Sequence, residues 1–299
     1  MILHRFHTFR TDYYFPSPVK GGAFLFGLYH PYNQNPIRLA AIRLYWWLFR
    51  YCSLVRRRFT VENADDEFPY TQIMRLCPKG SVVSFNMGTP GPEQKISMLG
   101  LETNGTHFFA KYSTKPAAMA LSRNEIKVLK ELNARGLAPE LKESVDSESF
   151  VFFMTSCVDG VNPKNVALDN NILSLTECIS NINVKSGNLV TCLSHGDFTP
   201  WNIIIDDGGE YRLIDWEMAA ERELGYDLFT YITHVGALLS PSTAMMQMIE
   251  DNKLYVDRYF ANFGINNWAP YLKAYGKRRI EYETSKGNIK QAEKYECLL

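Results

Sequence analysis

Apolar and polar positions follow two periods along this chain, and the change of period divides it. From Leu76 to about residue 155 the apolar runs are short and bounded by turn residues. Ser81-Val82-Val83-Ser84-Phe85, Lys95-Ile96-Ser97-Met98-Leu99 and Thr106-His107-Phe108-Phe109-Ala110-Lys111-Tyr112 read as strands, the last entered through an Asn104-Gly105 turn. Ala138-Pro139-Glu140-Leu141 and Ser149-Phe150-Val151-Phe152-Phe153-Met154 read as two more. One helix interrupts them, read as opening at Ser122-Arg123-Asn124-Glu125 and ending at Gly136. Beyond Ser156 the spacing turns helical: residues 172–179, a helix that follows Gly225-Tyr226-Asp227-Leu228 and runs through about Leu239, then 242–263 and 267–283. Within that part, Ile203-Ile204-Ile205 and Tyr211-Arg212-Leu213-Ile214 flank Asp206-Asp207-Gly208-Gly209, the signature of a hairpin.

The first 75 residues fit neither pattern. Residues 1–36 are rich in aromatics, Pro and Gly, and little regular structure is expected there. Residues 37–58 read as a helix starting after Pro36. Leu39, Ile42, Trp46 and Phe49 line one face, and Arg43, Arg50 and Arg57, seven apart, line another. Residues 61–75 are polar and acidic and read as a linker. The expected organisation is a basic, aromatic extension with linker (1–75), a small β-rich lobe (76–155) and a larger helical lobe (156–299).

Composition narrows the class. The 299 residues are 46% hydrophobic, enough for a substantial core. No uncharged apolar run reaches the roughly 18 residues of a membrane span, and the first residues lack the apolar core of a secretory signal. Cys52, Cys77, Cys157, Cys178, Cys192 and Cys297 are scattered without a Cys-x-x-Cys pair, which favours reduced thiols and a cytoplasmic location over a zinc site. Net charge is zero but uneven. Residues 1–60 carry nine Lys/Arg against one acid, Asp12, so the remainder is acidic. Trp, Tyr and Arg together in 37–58 suit an anionic membrane surface. The plainer reading packs that helix on the body with its arginines solvated or paired. No nucleic-acid partner is expected, because the rest of the chain is acidic.

The densest chemistry lies in Leu193-Ser194-His195-Gly196-Asp197-Phe198-Thr199-Pro200-Trp201-Asn202, followed by Leu213-Ile214-Asp215-Trp216-Glu217. The hairpin 203–214 would bring Asn202 and Asp215 to its open end, beside Asp197. A base, an amide oxygen and a carboxylate gathered there suit phosphoryl transfer from a magnesium nucleotide. His-Gly-Asp-x-x-x-x-Asn followed by Ile-Asp-Trp-Glu resembles the aminoglycoside phosphotransferase and choline kinase family, distant relatives of protein kinases. The resemblance covers about residues 76–240.

It implies an α+β, bilobal protein-kinase-like fold and an ATP- or GTP-dependent phosphotransferase using Mg2+. It also implies roles. Asp197 would accept the proton of an acceptor hydroxyl. Asn202 and Asp215 would hold magnesium, and Lys111 would meet the nucleotide phosphates, held by Glu125. Glu125 has a second reading, a capping box with Ser122. Gly88 and Gly91 would let backbone N–H groups approach the phosphates, although Pro90 and Pro92 remove two donors. Residues 155–160 correspond to the hinge that holds adenine. His195 would brace the loop. Asp227 would brace it too, or serve as a helix N-terminal charge.

Pro200-Trp201-Asn202 departs from aminoglycoside-modifying relatives and looks more like sugar and envelope-polysaccharide kinases of the same superfamily. The expected acceptor is therefore a sugar, glycolipid or lipid-linked saccharide, reached from the cytoplasmic membrane face. Trp201 and Trp216 offer stacking or plain packing surface. The alternatives are an aminoglycoside or amino-alcohol kinase, with Glu217, Glu221 and Glu223 receiving a cation, and a nucleotide-binding pseudokinase.

Overall fold

The computed structural model describes residues 2–17, 22–30, 35–239 and 242–299. Parts of the aromatic N-terminal stretch (18–21 and 31–34) lie outside the described residues. The chain forms two compact units: Met1–Lys130 with Pro139–Cys157, and Glu131–Ala138 with Val158–Leu299.

Unit 1 is built on an eight-stranded antiparallel sheet. In chain order its elements are β1 (Leu3–His7), β2 (Asp12–Pro16), α1 (Pro36–Tyr51), α2 (Ser53–Arg57), β3 (Thr60–Val61), α3 (Tyr70–Leu76), β4 (Val82–Asn86), β5 (Ile96–Leu101), β6 (His107–Ser113), α4 (Pro116–Leu132), β7 (Leu141–Asp146) and β8 (Val151–Ser156). The strand order is β3-β1-β2-β4-β5-β6-β8-β7. Alternate residues of the central strands point into one core, where Val83, Phe85, Met98, Phe108, Ala110, Phe152 and Met154 meet Phe68 and Ile73.

The N-terminal expectation needs correcting. Residues 3–16 are not irregular: they form a hairpin whose second strand pairs with β4, extending the sheet. Its outer side packs Phe6 and Phe15 against Phe26, Trp46 and Phe49. Ring centroids lie 4.9 Å apart for Phe6–Trp46 and 5.2 Å for Phe15–Trp46. The aromatic density read as irregular is this second core. Burying such rings on a strand pair contributes on the order of 2 kcal/mol each. The polar stretch 61–75 likewise contains α3. The basic helix begins at Pro36 as expected, capped by Asn35, and breaks at Cys52.

The helix α4 also starts earlier than expected. Pro116 sits in its first turn, where a missing N–H costs nothing. Ser122 is therefore mid-helix, its hydroxyl 2.7 Å from that of Ser113, and the capping-box reading of Glu125 falls.

Unit 2 carries β9 (Gly160–Val161), α5 (Asn170–Ser180), β10 (Thr191–Ser194), β11 (Ile203–Asp206), β12 (Tyr211–Leu213), β13 (Ala220–Glu223), α6 (Tyr226–Leu239), α7 (Met245–Asp251), α8 (Lys253–Asn262), α9 (Ala269–Ser285) and α10 (Ile289–Glu293). The strands form two small sheets, β10-β13 and β12-β11-β9. The helices pack around Phe229, which lies between Phe260 and Tyr275. The six cysteines are free thiols. No helix among the described residues is long and apolar enough to cross a membrane.

Candidate active site

Unit 1 holds a buried ion pair. Lys111 lies on β6, between Ser97 of β5 and Phe153 of β8. Its side chain leaves the sheet on the side covered by α4, where its Nζ donates to Glu125 Oε2 at 2.7 Å. Both residues are buried, so neither charge would be tolerated without a partner.

The turn between β4 and β5 carries the two glycines. Gly88 has φ +69, and a Cβ there would stand 2.4 Å from the Lys95 carbonyl, so the turn itself demands glycine. Its N–H already donates to Asn86 Oδ1 at 2.9 Å and is not offered to a ligand in this conformation. Gly91 is open to its surroundings. Lys115 Nζ donates to the Gly91 carbonyl and to Gln94 Oε1, while Gln94 Nε2 donates to the Met87 carbonyl. The turn is thus tied across its base by two side chains.

Unit 2 holds the loop that follows β10. Asp227, at the start of α6, accepts three bonds from it: from Ser194 Oγ at 2.8 Å, His195 N at 2.7 Å and Gly196 N at 2.9 Å. Bonds to a buried carboxylate are stronger than neutral ones, and these fix the backbone just ahead of Asp197. Gly196, with φ +88, passes so close to the Met218 carbonyl that a Cβ would stand 2.3 Å from it. His195 is fully buried, donates from Nε2 to the Ile214 carbonyl at 3.0 Å, and accepts at Nδ1 from Asp197 N. It ties the loop to the far strand of the hairpin and rests against Trp216.

Asn202 closes the loop. Its Nδ2 donates to the Asp197 carbonyl and to Asp197 Oδ2, both at 2.9 Å, which leaves its amide oxygen as the group able to meet a cation. The predicted hairpin is present, pairing Ile203 with Leu213 and Ile205 with Tyr211. Ile214 N donates to the Asn202 carbonyl at 3.0 Å, setting the start of one strand beside the end of the other. Asp215 follows in the left-handed region, φ 67, unusual for a residue with a Cβ. Trp216 is fully buried, its Nε1 donating to the Leu213 carbonyl.

Burial raises the Asp197 carboxyl above the ordinary carboxylate value, and nearby Asp215 adds to this. His195, the Asn202 bond and Arg279 pull the other way. A half-buried carboxylate beside an amide and a second carboxylate can accept a proton at one oxygen and present hard oxygen ligands nearby.

One positioning residue had no sequence signal. Asn162 Nδ2 donates to the carbonyls of Pro200, Trp201 and Ile203, nearly forty residues away, and holds the turn around Asn202 from outside. The acids considered for a cationic substrate have partners within the protein. Glu221 pairs with Lys185 and Thr191, and Glu223 with Arg278.

Residues 167–271, which include the loop and the hairpin, match the model of the phosphotransferase enzyme family, APH. Among solved structures, aminoglycoside phosphotransferase APH(4)-Ia is similar over 79% of this chain and 98% of its own, at 14% identity and a TM-score of 0.50. That likeness shows the protein-kinase-like fold. Aminoglycoside phosphotransferase APH(3'')-Id of Streptomyces rimosus, solved with ADP and streptomycin, matches over 54% of this chain and 83% of its own, at 13% identity and a TM-score of 0.41. No curated protein sequence matches the chain.

Proposed function

We propose that this chain, whose residues 167–271 match the APH phosphotransferase family model, moves the γ-phosphate of a magnesium nucleotide, ATP or GTP, to a hydroxyl of a sugar or sugar-bearing lipid. The observation that carries the reading is Asp197, held by Asn202 with Asp215 at the adjoining hairpin end. Asp197 accepts the hydrogen bond, and then the proton, of the acceptor hydroxyl. Its raised pKa is compatible with that work, because positioning dominates when the transition state is loose.

Lys111, held by Glu125, neutralises charge on the donor phosphates. Asn202 Oδ1 and the Asp215 carboxylate are hard oxygen donors that fit magnesium, which would supply further neutralisation there. His195, Asp227 and Asn162 keep the loop in place and exchange no proton with substrate.

The acceptor class rests on two features of unit 2. Trp201, four residues after Asp197, is 48% exposed while Trp216 is fully buried. Of the two rings, packing accounts for Trp216 and leaves Trp201 as a platform for a sugar face. Glu221 and Glu223 are neutralised by Lys185 and Arg278, which weakens the case for a cationic antibiotic or amino alcohol.

The test is ADP release with magnesium ATP or GTP across neutral sugars, a detergent-solubilised glycolipid, aminoglycosides and choline. Turnover is expected with sugar-bearing acceptors, with Trp201→Ala raising their KM up to about tenfold and leaving kcat near its original value. Turnover confined to cationic acceptors would reject the acceptor assignment. Turnover unchanged in Asp197→Asn would reject the catalytic one.

A further inference from the structure

The helix α1 has two apolar faces, and among the described residues only one of them packs. Trp46 and Phe49 enter the aromatic core against β1 and β2. On the opposite side Ile37, Leu44 and Tyr51 recur every seven residues, with Trp47 one turn before Tyr51; beyond the break at Cys52, Leu54 is exposed on α2. These are exposed: Ile37 at 81%, Trp47 at 56% and Leu54 at 71%. Trp47 and Tyr51 touch each other, ring centroids 5.9 Å apart. Scattered exposed apolar residues are ordinary, but four large ones along one side of α1, with Leu54 exposed on α2, make a face.

The charge around that face has one sign. No acid occurs between Asp12 and Glu62. Arg38, Arg43 and Arg57 are exposed on the same two helices, and Arg58 is exposed just after α2. Arg56, by contrast, turns inward to cap the carbonyls of Phe49 and Arg50, so its charge serves the helix junction.

We propose that α1 and α2 lie flat on an anionic membrane surface, with Ile37, Leu44, Trp47, Tyr51 and Leu54 entering the headgroup boundary and the exposed arginines meeting lipid phosphates. Trp and Tyr favour that depth, and guanidinium groups pair with phosphate there. A second copy of this chain fits less well. Two such helices would bring arginine rows together with no acids to pair them. The inference rests on unit 1 alone and holds whether or not the acceptor is lipid-linked.

The experiment is co-sedimentation of the full chain with vesicles of phosphatidylcholine, and of phosphatidylcholine mixed with phosphatidylglycerol, at low and high salt. Light scattering of the vesicle-free protein runs in parallel. Binding is expected to the anionic vesicles, to weaken with salt, and to fall more than tenfold in Leu44→Glu/Trp47→Glu. Arg43→Gln and Arg57→Gln should each weaken it about fivefold. These side chains are exposed, so an unchanged melting curve separates lost binding from lost folding. No binding to anionic vesicles at low salt, binding indifferent to the double variant, or a dimer that the double variant dissociates would each overturn the proposal. Phosphotransfer to a soluble acceptor reports on the catalytic reading separately.

Discussion

The two units hold their charged residues by opposite means. In unit 1, Lys111 and Glu125 are both buried and are joined by an ion pair of 2.7 Å. In unit 2, Asp197 stands in a loop whose geometry is fixed by main-chain bonds. Asp227 receives two backbone N–H groups, His195 binds the Ile214 carbonyl, and Asn162 binds three carbonyls. A pair is only as stable as both its members. A scaffolded loop can lose its functional carboxylate and keep its shape. Stability and activity should therefore separate in unit 2 and stay coupled in unit 1.

The sharpest test is Asp197→Asn. Turnover should fall about 10²–10⁴-fold, while the melting temperature stays close to that of the parent. A large loss of stability would break the comparison. In unit 1, Glu125→Gln should cost about 3–5 kcal/mol by removing the carboxylate that the buried Lys111 ammonium pairs with, visible in urea unfolding. Lys111→Met with Glu125→Leu should restore much of that stability and none of the activity. If the double variant is as unstable as the single one, the pair is not the unit of stability assumed here.

Smaller effects probe the scaffold. Asp227→Asn should lose about 1–3 kcal/mol and lower kcat with little change in KM, because it displaces the loop and not the substrate. A KM effect alone would argue that Asp227 meets substrate.

A further test uses pH. His234 lies beside Arg279, its Nε2 3.1 Å from the guanidinium, which in turn pairs with Glu283. Burial, then Arg279, pushes its pKa from 6.5 down to about 4. The unfolded chain binds the proton more readily in that interval. This contribution to stability is present in full above pH 6.5 and is lost as pH falls towards 4, at up to about 1.4 kcal/mol per pH unit. Urea midpoints across the interval should show a shallower slope in His234→Gln, and an identical slope would remove His234 from the account.

How far these features were legible in the sequence depends on whether their cause is local. Ser194–Asn202 and Leu213–Asp215 could be read because turn chemistry and hairpin pattern act within a few residues. Lys111 signalled its need for an anion because a lysine in an apolar strand has few other options. The N-terminal hairpin could not be read so easily. β1 places Leu3 and His4 both inside, breaking strict alternation, and its aromatic partners Trp46 and Phe49 lie some forty residues away. Ser122 misled because Ser-x-x-Glu is a fair capping signal, and only the tertiary contact with Ser113 shows it inside the helix. Asn162 gave no signal at all, since a lone asparagine says nothing about three carbonyls so distant in sequence.

The ends of the large sheet carry a consequence for life in a crowded solution. One edge, β3, is only Thr60–Val61, and the other, β7, is bulged between Leu141 and Glu143 and lined by exposed Lys142, Glu143 and Asp146. An eight-stranded antiparallel sheet would otherwise offer two long rows of open hydrogen-bonding groups to any extended neighbour. A two-residue stub and a charged, irregular rim give such a neighbour too little register to hold. With β1, β2 and β3 on its N-terminal side, the sheet still ends where a further strand finds little to pair with, which works against edge-to-edge aggregation.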